Sequence, residues 1–213
     1  MHIINALIIS ACAIISPLVA VDAAAPTIPA PVPVTGWMSW EGGVDLACMT
    51  KPGLTQPNLI LHVGRVVHTP VGSAASGIVV YQPDPAAAPV LFGFISENPK
   101  VGAYFGPNVF AGTPFEKAPV IAATITVTTT AEQASSRIEA GGHVFTVTLT
   151  GLAAAQLVNR APGAMPFHQQ GVESAAATVA VTIDGKPVEV IVPPTDPVRG
   201  PAAVFARTGV YAR

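Results

Sequence analysis

The sequence predicts an all-β protein: an antiparallel β-sandwich or barrel-like fold with one or two short helices and a Pro-rich, extended N-terminal arm. Three observations predict it. The 22 prolines and 19 glycines among 213 residues interrupt helices too often for a helical bundle. Short runs rich in Val, Ile, Thr and aromatics recur between these breakers. Two of the runs, Thr124 to Thr128 and Phe145 to Leu149, alternate Thr with apolar residues, which turns one face to a core and the other to water.

Taken in order, residues 1–23 read as a signal peptide. Ile3 to Ile15 is nearly continuous apolar, Ser16-Pro17 breaks the run, and small residues follow through Ala25. Cleavage is expected after Ala23, with Val21 and Ala23 in the small-residue subsites. The run is too short for a comfortable membrane-spanning helix, which needs ~20 apolar residues. Ile9-Ser10-Ala11-Cys12 offers a minor alternative, a lipoprotein signal with Cys12 as the lipidated residue. Residues 24–36 form the arm, where closely spaced prolines enforce an extended course with few backbone donors. Residues 37–213 form a single β-rich domain. Strands are expected over Leu59 to Thr69, Gly77 to Gln82, Pro89 to Ser96, Val120 to Thr130, His143 to Thr150, Thr178 to Ile183 and Val188 to Val192. Asp184-Gly185 marks a hairpin, with Lys186-Pro187 extending its loop. Ala131 to Ile138 and Leu152 to Arg160 are the helix candidates, and the tail from Gly200 reads as a strand-like end.

Composition narrows the function. Formal net charge is −2 and only 10% of residues are charged, so there is no basic field to hold nucleic acid or an anionic membrane. An apolar content of 50% excludes disorder for most of the chain. With the signal removed, Cys48 is the one cysteine left, so the domain holds together by its core and not by disulfides. Within Leu46-Ala47-Cys48-Met49 it reads as a small buried hydrophobe.

No template for catalysis or metal binding is met. His62 and His68 share a strand face by parity, but six residues at ~3.3 Å each separate them by about 20 Å unless Gly64 breaks the strand. No Cys-x-x-Cys or His-Glu-x-x-His occurs, and Cys48-Met49 lacks the following His of a blue-copper site. Gly72-Ser73-Ala74-Ala75-Ser76-Gly77 misses the spacing of a nucleophile elbow. Carboxylates are sparse, and no Gly-rich phosphate loop precedes a helix. No catalytic, cofactor or metal residue is therefore assigned, and no cofactor is expected.

The most distinctive stretch, Phe92 to Pro119, interleaves aromatics with Gly and Pro. Phe92 and Phe94 are expected to pack in the core. Trp37, Trp40, Tyr104, Phe105, Phe110 and Phe115 are the candidate partner-binding residues, because aromatics concentrate at binding hot spots.

The tail carries a glycine fourteen positions from the end and a late tyrosine, Tyr211, and so faintly resembles the last strand of fimbrial subunits, which borders a groove completed by a neighbour. It departs from that pattern in lacking a penultimate tyrosine and an intrachain disulfide, and the family is not assigned. Scarce surface charge, an aromatic loop and a tether together lead to an expected function. It is a non-catalytic exported accessory or binding protein with a protein partner in the cell envelope. One form would be the small subunit of a larger periplasmic or membrane-bound enzyme such as a dehydrogenase. The alternatives are a surface assembly subunit, or a small periplasmic hydrolase or ligand-binding protein with a pocket near the aromatic loop.

Overall fold

The computed structural model describes residues 34–195 and 200–213. The expected signal peptide and most of the Pro-rich arm lie outside the described residues. Twelve strands form one mixed sheet: β1 (Trp37–Cys48), β2 (Leu59–Thr69), β3 (Gly72–Tyr81), β4 (Leu91–Ser96), β5 (Val120–Thr129), β6 (Gln133–Ala140), β7 (His143–Thr150), β8 (Gln156–Arg160), β9 (His168–Ala175), β10 (Thr178–Ile183), β11 (Lys186–Val188) and β12 (Ala203–Ala212). Their order is β11-β10-β7-β6-β5-β4-β3-β2-β1-β12-β9-β8. Every neighbouring pair is antiparallel except β4 and β5, which run parallel. A parallel pair needs a crossover. Here a short helix, α1 (Pro99–Tyr104), and the π-helical turn Phe105–Val109 that follows it supply the crossover.

Apolar side chains on the two sides of the sheet form two cores. In the first, Val44, Leu46, Leu61 and Val63 of β1 and β2 meet Ile138, Phe145 and Leu149 of β6 and β7, so the long sheet folds over on itself as a sandwich. In the second, the opposite face of β1 to β4 and β12 is covered by α1 and the π-turn through Val101, Phe105 and Phe110. Strands buried on both faces consume apolar residues without exposing them. Such strands hold down the share of charged residues in the described domain.

The all-β expectation holds, with differences in detail. Both helix candidates are strand. Ala131 to Ile138 contributes to β6, where Ala134, Ser136, Ile138 and Ala140 point inward while Arg137 and Glu139 are exposed. This is a period-two pattern carried mostly by small residues, two of them Ala, the strongest helix former. Most of Leu152 to Arg160 is extended and ends in the edge strand β8. Among the described residues the one α-helix starts inside the aromatic stretch, where Asn98 caps it by accepting the Lys100 N–H at 3.0 Å and Pro99 takes its first turn. Asp184-Gly185 is a two-residue hairpin with φ of 54° and 75°, and Lys186 pairs directly with Ile183 instead of extending the loop. Beyond Val188 the expected strand is reduced to a bridge between Met49 and Ile191.

Candidate functional site

The site arises from a change of side-chain parity in three adjacent strands. On β1, Met38 and Trp40 face the second core, whereas Val44 and Leu46 face the first. Strict alternation would keep all four on one side. Gly42, with φ of 64°, lies where the strand switches. On β2, Val67 faces the second core and Val63 the first, across an irregularity between Gly64 and Val67. On β12, Tyr211 and Ala206 share the second core across a similar shift between Ala206 and Thr208. The switch sends Asp45 of β1 and His62 of β2, which are direct cross-strand partners, to the α1 side. It also corrects the expectation that His62 and His68 share a face. His68 is turned outward, with Nδ1 at 2.8 Å from Ser73 Oγ and Nε2 at 3.6 Å from Glu41.

Asp45 and His62 line a cavity of about 40 Å³ whose other walls are Trp40, Phe105, Phe110 and Tyr211. The two polar side chains are only 18% and 14% exposed, and His62 Nδ1 lies 3.1 Å from Asp45 Oδ1. The approach is at ion-pair distance but too oblique for a hydrogen bond, and Nδ1 is buried without a hydrogen-bond partner among the described residues. A buried polar group left unpaired costs about 1–3 kcal/mol, so the fold tolerates a penalty here. On the same wall Ser76 Oγ is bonded to Ser96 Oγ at 2.8 Å, and Ser96 donates to the Asn98 carbonyl at 2.8 Å.

A second polar group sits on β8 and β9. Glu173, nearly buried, accepts two hydrogen bonds from Arg160 at 2.7 Å each and one from Gln169 at 2.8 Å. That hydrogen bonding holds the Arg160 guanidinium above its ordinary pKa against partial burial, and the charges of Glu173 and Asp45 add to the effect. Arg160 and Gln169 bracket the β8–β9 loop. The loop's Phe167 stacks on Tyr211 at 4.1 Å between ring centroids and meets Phe110 edge-on at 5.4 Å.

The structure distributes the six candidate contact residues unevenly. Trp40, Phe105 and Phe110 are at most 6% exposed and belong to the second core. Trp37, Tyr104 and Phe115 are half-buried. The Tyr104 hydroxyl accepts the Trp37 N–H at 3.2 Å, and Phe115 stacks on Phe92 at 5.2 Å. Phe94 is 1% exposed, as expected, and Phe92 is half-buried. Among the described residues no group of three His, Cys, Asp or Glu side chains converges to hold a metal ion. From the sequence His62 is weighed only as a metal ligand with His68, and neither Asp45 nor Glu173 is assigned a role. The signal available for Asp45 and His62 was a lone ionisable residue inside each of the apolar runs Val44-Asp45-Leu46 and Leu61-His62-Val63.

No protein-family model matches the chain, and no curated protein matches it significantly. Among solved structures it is similar to acetoacetate decarboxylase from Legionella pneumophila, at 11% identity and a TM-score of 0.33, over 87% of this chain and 90% of that one. The expected non-catalytic accessory subunit is corrected at this point. A solved structure similar to the chain is that of an enzyme, though a likeness of this degree assigns no activity.

Proposed function

We propose that the protein binds a small molecule, seating its polar head against Asp45 and His62 in the cavity between the central strands and the α1 cap. The observation that carries this reading is the Asp45–His62 pair itself. Two ionisable side chains stand in the middle of central strands, at the wall of an otherwise largely apolar and aromatic cavity, without a hydrogen bond between them. Convergent polar groups in an apolar pocket are the usual form of a small-molecule site. The carboxylate and the imidazole, 3.1 Å apart, present polar atoms side by side to a bound head group.

The test is a titration of the isotope-labelled protein with short-chain alcohols, amines and carboxylates, followed by NMR at the Trp40 indole and the His62 ring. At least one class should give a saturable shift there. Asp45→Asn and His62→Leu, which nearly keep the side-chain volumes, should abolish it while leaving the melting temperature measurable. Absence of a saturable response from every class would overturn the reading.

We also propose that the protein is exported to the periplasm or beyond. The apolar run, the Ser16-Pro17 break and the small residues around Ala23 support this. Among the described residues no helix is long and apolar enough to cross a membrane. N-terminal sequencing of protein recovered from the periplasm or the medium should begin at Ala24, and an intact Met1 terminus found in the cytoplasm would refute it.

A further inference from the structure

We infer that the head group taken at Asp45 and His62 is an organic cation, a primary ammonium; the inference rests on the ligand-binding reading above. Its first support is charge. Among the lining residues Asp45 is the one carboxylate, and neither Lys nor Arg is present. A carboxylate that is 18% exposed repels an anionic head and attracts a cationic one, with less screening than at the surface. The neighbouring guanidinium of Arg160 does not reverse this, because Glu173 binds it through both oxygens at 2.7 Å and matches its charge.

The second support is the rest of the wall. Trp40, Phe105, Phe110 and Tyr211 enclose the same space. Aromatic rings attract a cation within about 6 Å of their centroids, Trp most strongly, and more so where water is excluded. Trp40 and Tyr211 are held 4.6 Å apart at 55°, so two walls meet at a fixed angle.

The third is the unpaired nitrogen. With a neutral ring bearing its hydrogen on Nε2, His62 Nδ1 and Asp45 Oδ1 are two acceptors 3.1 Å apart with nothing donated between them. A group with several N–H donors satisfies both at once, and an ammonium has three. A cavity of about 40 Å³ has room for a small head group. A longer alkyl chain would extend outside it.

The experiment compares n-butylammonium, 1-butanol and butyrate, which share a chain and differ in the charge of the head. Each is titrated into the full chain with Trp40 fluorescence and NMR as readouts. Butylammonium should bind at least about tenfold more tightly than butanol, and butyrate should not bind. Asp45→Asn should remove the preference for the cation. Phe105→Leu, which keeps an apolar wall but loses the ring, should weaken butylammonium and leave butanol unchanged. This second variant keeps the test alive if Asp45→Asn fails to fold. Butanol or butyrate binding as tightly as butylammonium would overturn the cation and leave the ligand-binding reading standing. No saturable binding of any of the three would bring down both.

Discussion

At the scale of single residues, the polar groups separate by what each is bonded to. Glu173 satisfies itself with three donated hydrogen bonds, so its burial is compensated. Removing one partner of such a pair strands the other. Glu173→Ala should lower unfolding free energy by about 3 kcal/mol, read from urea denaturation. Replacing Glu173 and Arg160 together by Met should recover most of that loss, because nothing charged is then left unpaired. Asp184 behaves differently because it is exposed. Its carboxyl is held below its ordinary value first by the Val144 N–H and then by His143. A carboxylate with a lowered folded pKa stabilises the fold above its unfolded value, near 3.8, and loses that contribution as pH falls through the folded value. Asp184→Asn, which tolerates the positive φ of the turn, should therefore lower the urea midpoint at neutral pH and converge with the parent chain in strong acid. Parallel curves across the whole pH range would contradict the assigned hydrogen bonds. Neither group was evident in the sequence as a site. Asp45 and His62 lie seventeen positions apart and meet only through the β1–β2 register, which no spacing rule reveals.

At the scale of elements, strands with strong side-chain alternation were legible and those built from small residues were not. Val120–Thr129 and His143–Thr150 were visible because Thr and aliphatic residues alternate in them. Gln133–Ala140 was hidden because Ala and Ser fill three of its four inward positions, which left only a faint alternation in apolar character. The helix start at Asn98-Pro99 carried a readable cap signal, masked by the Gly and Pro that follow within the aromatic stretch. The parity switch on β1, β2 and β12 is a property of paired strands, so it has no expression in one strand's sequence. The join between β1 and β12 is tight. A Cβ placed on Gly209 would lie 2.3 Å from the Trp40 ring, and the Gln170 carbonyl is 2.9 Å away. Gly209→Ala should cost about 1–3 kcal/mol by overpacking. Trp40→Leu in the same chain should relieve part of it, so a double-mutant cycle in chemical denaturation should give a coupling energy above about 0.5 kcal/mol. Additive losses would mean that Trp40 is not the obstacle.

At the scale of the whole molecule, the question is whether the two cores melt together. They share β1, β2, β3, β4 and β12, each of which contributes side chains to both. Opening either core therefore breaks strands that the other needs, and unfolding should be all-or-none across the described domain. Cys48 provides a reporter. It is fully buried in the first core, and burial pushes its thiol up to about 12. A thiolate is the reactive form, and at pH 8 a thiol of this kind supplies almost none. In a chain carrying Cys12→Ser, labelling of Cys48 by a thiol reagent should thus proceed only from the unfolded state. Its free energy of opening should equal the global value from urea, and Glu173→Ala or Gly209→Ala should lower both by the same amount although each acts on the second core's side of the sheet. Labelling that outruns global unfolding would show that the first core opens alone. The shared strands would then fail to couple the sandwich to the wall that carries Asp45 and His62.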